Sequence, residues 1–590
     1  MKFYLRVWLC ACCVWAAPLS ALQESNPAAI ASAHPLATSA GREVIDAGGN
    51  AFDAAIAVAA ALAVVEPYSS GIGGGGFFLL HRAIADTDIV VDARERAPFA
   101  ATEKLFLDGA GEIIPNKSLD GAAAAAIPGT PAALVHLALY YGRLPLDRSL
   151  APAIKLARSG FPANEHYRRM ATYRQAVMAA DPATAAIFLD QGEVPKLNYT
   201  IRQSDLADTL QELARQGTAG FYAGEIADKL VAGVTAGGGI WSVEDLAQYR
   251  VVERNPVVGT YHDMRIVSAP PPSSGGVVLL EALNILETYD LAKLPAAVQT
   301  HLAIEAMRRA YRDRGEFLGD PDFHDVPVAA LIAKTHAQEQ RADIALDKAT
   351  PSSALKPITP PVQGEHTTHF SVLDAEGNQV AATLSVNTPF GACYTPAGTG
   401  VLLNNEMDDF SSRPLTPNAY GLVGADANAI GPGKRPLSSM TPTFLITKDR
   451  VGILGTPGGS RIISMVLLGA LQFYSGKEPA EWVAQPRYHH QYLPDEVLYE
   501  PKAFSAEDAA ALKQRGHTLT LSTREYGNMH AILWNTTTNE VSAASDPRGE
   551  GAAEVWAAHL PRVSGAAPGS PTDQATKKSD LKELVPATSE

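Results

Sequence analysis

A chain of 590 residues with 46% hydrophobic and 19% charged residues is long enough for a large layered core and too apolar for a disordered chain. The formal net charge of −15 argues against a nucleic-acid partner and leaves any recognition of an anion to local groups. Beyond the first residues no stretch is apolar enough to read as a membrane span.

Residues 1–21 form a separate unit. Lys2 and Arg6 are basic, residues 7–17 are apolar, and Ser20-Ala21 closes the segment with small residues, the pattern of a secretory signal peptide. A membrane anchor is the alternative, but the apolar run is too short to span comfortably. Cys10, Cys12 and Cys13 would leave with the leader, so Cys393 stands alone and no internal disulfide can form. An exported chain without disulfides fits a bacterial periplasm or the medium.

Residues 53–65 read as a buried helix of small residues that stops at Glu66-Pro67. The run from Ser69 to Gly76 lacks the Gly-Lys-Ser/Thr ending of a phosphate loop. It reads instead as a place where backbones approach closely, leading into a strand over 77–80. A second strand over 89–92 runs into Asp92-Ala93-Arg94-Glu95-Arg96. On the residues alone, Arg94 is a surface cation beside Glu95. Residues 119–345 carry helical patterns, punctuated by Ala126-Ile-Pro-Gly129 and by Pro270-Pro-Pro-Ser-Ser-Gly-Gly276. Residues 346–366 are polar and rich in Pro, Ser and Thr, and read as an exposed linker.

A hairpin follows. Strands over 367–372 and 380–387 flank Asp374-Ala-Glu376-Gly377-Asn378, which suits a tight loop. Centring the loop on Glu376 sets Thr367 opposite Ser385, with Asn387 one diagonal step away. One face then carries Thr367, His369, Ser371, Ala381, Thr383, Ser385 and Asn387. The other carries Thr368, Phe370, Val372, Val380, Ala382, Leu384 and Val386, almost all apolar. The polar face is either solvated or a site. Residues 413–434, rich in Pro and Gly around Tyr420, read as a long mobile loop of the kind used as a lid. His489 and His490 diverge if they lie on a strand, and no third ligand accompanies them, so they make a poor metal pair. Residues 564–590 read as a disordered tail.

The hairpin, Asn404-Asn405-Glu406-Met407-Asp408-Asp409-Phe410-Ser411, Gly431-Pro-Gly-Lys-Arg-Pro-Leu-Ser438-Ser439-Met440 and Gly455-Thr-Pro-Gly458-Gly459-Ser460-Arg461 occur in that order. Together they resemble γ-glutamyltranspeptidase, a family of N-terminal-nucleophile hydrolases, over about residues 25–560. The resemblance implies an α+β fold, the four-layer αββα sandwich. It implies a precursor that cuts itself between His366 and Thr367 into 22–366 and 367–563, the pieces staying interwoven. It implies no cofactor and no metal. Matched by motif, Thr367 is the nucleophile, Ser385 its hydroxyl partner (many relatives carry Thr there), and Gly458 and Gly459 the oxyanion-hole amides. Arg94, Ser438 and Ser439 match the ligands of the substrate α-carboxylate; Asn387, Glu406 and Asp409 match those of the α-ammonium. The lid with Tyr420 resembles that of members that have one.

The chemistry agrees. A Thr hydroxyl is a weak nucleophile without a base. An N-terminal Thr supplies its own, because an α-amine titrates at roughly 7.7–8.0 in peptides. The resemblance therefore implies a glutathione hydrolase and γ-glutamyltransferase, with γ-glutamyl compounds as donors and water, an amino acid or a dipeptide as acceptor. Two rivals remain. A related acylase would act on glutaryl groups, which have no α-ammonium. An uncleaved relative would only bind amino acids or peptides.

Overall fold

The structure is a computed structural model and describes residues 25–355, 367–411 and 426–559. The leader, His366, Tyr420 and the 564–590 tail lie outside the described residues. No helix among the described residues is long and apolar enough to cross a membrane.

Two mainly antiparallel sheets stack face to face. The first has seven strands in the order Ala552–His559, Ser25–Ser32, Thr368–Leu373, Gln379–Ser385, Gly75–Arg82, Thr87–Ala93 and Val252–Arg254. The second has six, ordered Glu540–Ser545, His530–Asn535, Arg450–Gly455, Thr443–Ile446, Met264–Ser268 and Val257–Tyr261. Alternation of side chains sorts the core into layers. Phe77, Leu79 and Ala381 of the first sheet meet Val267, Phe444, Ile453 and Ile532 of the second. Phe78, Leu80, Phe370 and Val372 point the other way, into a helical layer that includes Ala51–Val65. Ile266, Leu445, Leu454 and Leu533 pack outward against Gly275–Leu286, Ala296–Phe317 and Ile462–Tyr474. This is the αββα sandwich that the resemblance implied. Both sheets draw strands from either side of residue 366, so neither piece alone completes a sheet.

The helix Ala51–Val65 is buried at every position and stops before Pro67, as its sequence predicts. Its start is a reciprocal cap: the Asn50 side chain accepts from the N–H groups of Phe52 and Asp53, and Asp53 accepts from the Asn50 N–H. The glycine run works by close approach. A Cβ on Gly74 would lie 1.9 Å from the Ser385 carbonyl oxygen, and one on Gly76 would lie 2.2 Å from that of Thr383. Side chains here would push the second hairpin strand away from its neighbour.

The hairpin register is the expected one. Thr383 pairs with His369 and Leu384 with Thr368, which carries Ser385 opposite Thr367. The polar face is not solvated, however. The second sheet covers it, and His369, Ser371 and Thr383 are fully buried. His369 Nδ1 lies 2.9 Å from Thr383 Oγ1 and its Nε2 lies 3.2 Å from Ser371 Oγ. The Ser371 hydroxyl reaches the carbonyls of Ile453 and His530 across the seam. Burial holds the His369 pKa well below the usual imidazole range, so the ring is neutral.

Candidate active site

A cavity opens at the end of the hairpin that carries Thr367 and Ser385. Thr367, Ser385, Asn387, Glu406, Asp409, Ser438, Ser439 and Gly459 all line it, with Arg314, Met440 and Ile462. Residues spread over more than 140 positions of sequence thus meet in one cleft.

Each group is held from behind. Thr367 directly precedes the strand Thr368–Leu373, whose first hydroxyl donates to buried Glu66 at 2.8 Å. Ser385 Oγ accepts from the Asn387 N–H at 2.7 Å. Asn387 sits at φ 75° and donates its amide to the Asn405 carbonyl at 2.9 Å. Asn404 braces the same segment: its amide donates to the carbonyls of Gly73 and Ala126, and its Oδ1 accepts from the Glu406 N–H. The Ala126–Gly129 motif is therefore a support for the acidic turn Glu406–Asp409.

The central strand Arg450–Gly455 leads through Gly458 to Gly459, which lines the cavity at the entrance to the helix Ile462–Tyr474. Both have positive φ, 144° and 56°, which a side chain would resist. Tyr311 donates its hydroxyl to the Ser460 carbonyl and steadies this turn. Ser438 and Ser439 are stitched to the Pro270–Gly276 motif. The Ser438 N–H donates to the Pro272 carbonyl, and the Ser274 N–H and hydroxyl both donate to the Ser438 carbonyl.

Arg94 departs most from its sequence reading. It is no surface cation: it is fully buried, with Nε donating to the Pro436 carbonyl at 3.1 Å. Its guanidinium pairs with Glu406 through Nη1 and with Asp409 through Nη2 at 2.5 Å, while Glu95 lies 3.4 Å from Nη1. The two ends of the expected zwitterion clamp therefore touch one another instead of facing each other across the cavity. Burial opposes the Arg94 charge, but Glu406, Asp409 and Glu95 outweigh it and hold the group firmly protonated. Burial also raises the pKa values of Glu406, Asp409 and Glu95, with Arg94 pulling each back. Three buried carboxyls around one guanidinium cannot all ionise. Burial lifts Glu95 well above the usual carboxylate range, and its Oε1 has no hydrogen-bond partner among the described residues.

Sequence reasoning missed Arg314. It lies in the last turn of the helix Ala296–Phe317, within a segment read only as helical pattern. Its partners, Ser274 and Ser439, are 40 and 125 residues away, and no local signal marks it. His489 and His490 diverge as expected: one meets Ser464 and Gln491, the other Asp495 and the Tyr492 N–H.

The gamma-glutamyltranspeptidase family model matches residues 37–556. The Escherichia coli K12 protein described as glutathione hydrolase proenzyme is 42% identical over 525 residues, covering 88% of this chain and 90% of its own. Among solved structures, cephalosporin acylase from Bacillus halodurans superposes with a TM-score of 0.79 at 29% identity, covering 92% of this chain and 98% of its own. The γ-glutamyltranspeptidase of Helicobacter pylori is 40% identical with a TM-score of 0.54, covering 55% of this chain and 94% of its own. The match takes in every residue lining the cavity, and on it the chain belongs to the γ-glutamyltranspeptidase family.

Proposed function

We propose that Thr367 is the nucleophile and new amino terminus of a glutathione hydrolase and γ-glutamyltransferase made as one precursor and processed into two subunits. In processing, Thr367 Oγ attacks the carbonyl carbon of His366, the peptide bond shifts to an ester, and water hydrolyses that ester. The products are a carboxylate on His366 and a free α-amine on Thr367. In turnover the same oxygen attacks the γ-amide carbonyl of a γ-glutamyl compound. The α-amine, through a bridging water, takes the hydroxyl proton and returns one to the leaving amine. The N–H groups of Gly458 and Gly459 stabilise the tetrahedral oxyanion, and Ser385 steadies the Thr367 hydroxyl. Water resolves the acyl-enzyme to glutamate; an amino acid or dipeptide resolves it to a γ-glutamyl peptide.

The observation that carries this reading is the shared cavity of Thr367, Gly459, Glu406, Asp409, Ser438 and Ser439. It supports an ion-pair exchange. The substrate ammonium takes Glu406 and Asp409, and its carboxylate takes the released Arg94 together with the two serine hydroxyls. Glu406 Oε2 has no hydrogen-bond partner among the described residues, as a waiting ammonium acceptor would. The leader supports export to the periplasm or medium, and Tyr420 belongs to the lid; both readings rest on sequence.

Intact mass under denaturing conditions tests the first half: the expected result is a fragment beginning at Thr367, and a stable single chain would leave only a binding protein. The Asp409→Ala variant tests the second half. It should lower kcat/KM for a γ-glutamyl anilide by about 100-fold, as loss of a buried charge partner does, while sparing a glutaryl anilide. Equal losses on both, or a native preference for glutaryl, would favour the acylase reading.

A further inference from the structure

Among the described residues, the cavity is lined by one cation, and that cation is not Arg94. Arg314 lies in its wall, 4% exposed, while Arg94 is withdrawn behind Glu406 and Asp409. Arg314 is placed by hydroxyls alone: Nε donates to Ser274 Oγ at 2.9 Å and Nη2 to Ser439 Oγ at 3.2 Å. Among the described residues, no carboxylate lies within ion-pair distance of it. A buried guanidinium without a counter-ion is costly, and a site retains one where an anion is to arrive.

The hydrogen bonds also fix polarity. Ser439 Oγ accepts from Arg314, so its own proton points away from the guanidinium. Ser438 Oγ accepts from the Met440 N–H at 3.1 Å, which likewise leaves its proton to donate. Both hydroxyls are thereby set as donors. The burial that pushes the Arg314 pKa down to about 10 is resisted by Tyr311 and Asp409; at neutral pH the group stays charged.

We propose that Arg314 is the second cation of the carboxylate end, a positioning and specificity residue that orients Ser439 as a donor and supplies the charge the substrate α-carboxylate meets. The inference rests on the γ-glutamyl reading and deepens it.

Three anilides separate the two: γ-glutamyl, which carries both head-group charges; 4-aminobutyryl, which lacks the carboxylate; and glutaryl, which lacks the ammonium. For Arg314→Gln the expected result is a fall of about 30-fold or more in kcat/KM on the γ-glutamyl anilide, through KM, with the 4-aminobutyryl anilide changed less than about threefold. The glutaryl anilide should fall with the γ-glutamyl one, and Arg314→Lys should recover part of the loss. Equal falls on all three, or a fall in kcat alone, would make Arg314 a structural residue and overturn the proposal. Should Arg314→Gln fail to fold or process, Ser274→Ala carries the same comparison. It removes the Nε acceptor and one of the two bonds to the Ser438 carbonyl, both at the carboxylate end, and should raise KM selectively for the two carboxylate-bearing anilides; an unselective change or none would overturn the proposal. A native enzyme that ignores the γ-glutamyl anilide but hydrolyses the glutaryl one would sink the γ-glutamyl reading and leave the carboxylate test standing.

Discussion

Midway along the hairpin, His369, Ser371 and Thr383 face the second sheet; at its open end, Thr367 and Ser385 face Glu406, Asp409 and Arg314. Both groups are polar, both are buried, and both come from one alternating pattern. In the seam the groups are neutral, and neighbours across the pair and the facing carbonyls complete their hydrogen bonds. At the open end the groups are ionisable; among the described residues, Glu406 Oε2 lacks a hydrogen-bond partner and no carboxylate lies within ion-pair distance of Arg314. A satisfied neutral cluster stabilises a fold and offers nothing to a ligand. An under-satisfied charged one costs stability and gains it back on binding. The difference separates structure from function more cleanly than polarity does.

The sharpest break of that comparison is at Thr367. Thr367→Ala should leave the chain unprocessed and lower kcat on a γ-glutamyl anilide by at least about 10³-fold, since no other group replaces the nucleophile. Thermal stability should stay within a few degrees, because the change removes one hydroxyl and one methyl at the mouth of the cavity. Denaturing mass and a melting curve on the same sample read both. A processed, active Thr367→Ala protein would place the chemistry elsewhere in the cleft.

The seam should answer in the opposite way. His369→Ala removes a packed ring and its bonds to Thr383 and Ser371 and leaves a void against Gly455, where a Cβ would already lie 2.4 Å from the ring. The expected loss is about 2–4 kcal/mol in denaturant unfolding, with kcat/KM of the folded protein changed less than about tenfold. A large loss of activity without loss of stability would move His369 into the site.

What the sequence disclosed follows the same division. The hairpin register was legible because Glu376-Gly377 and the alternation are local, and the helix end at Glu66 because Pro67 is adjacent. That the polar face is covered was not legible. The covering strand Arg450–Gly455 lies some 80 residues on, and nothing near His369 announces it. Arg94 was found through its motif, but its burial between Glu406 and Asp409 is a contact over 312 and 315 positions. Arg314 stayed hidden among the charged residues of its helix, where Glu305, Arg308, Arg309 and Asp313 are also buried, so charge there does not mark the surface.

Glu66 is the intermediate case and gives the smallest effect. It lies on the other face of the nucleophile strand, fully desolvated, with hydroxyls for partners: Thr368 at 2.8 Å and Tyr68 at 3.3 Å. Burial pushes its pKa up to about 7 from the ordinary 4.5, against the pull of those two hydroxyls. Between those values the folded state holds a proton that the unfolded chain has released, so the contribution of Glu66 to stability falls as pH rises through that window. By pH 8 both states are ionised and the whole penalty is present, at most about 3 kcal/mol by the size of the shift. Glu66→Gln keeps the shape and the acceptor and removes the titration. The variant should match the native melting temperature near pH 4.5 and exceed it by a few degrees at pH 8. A difference that does not change with pH would mean that Glu66 is ionised in the fold, and that the helical side of the hairpin stores charge as the cleft does.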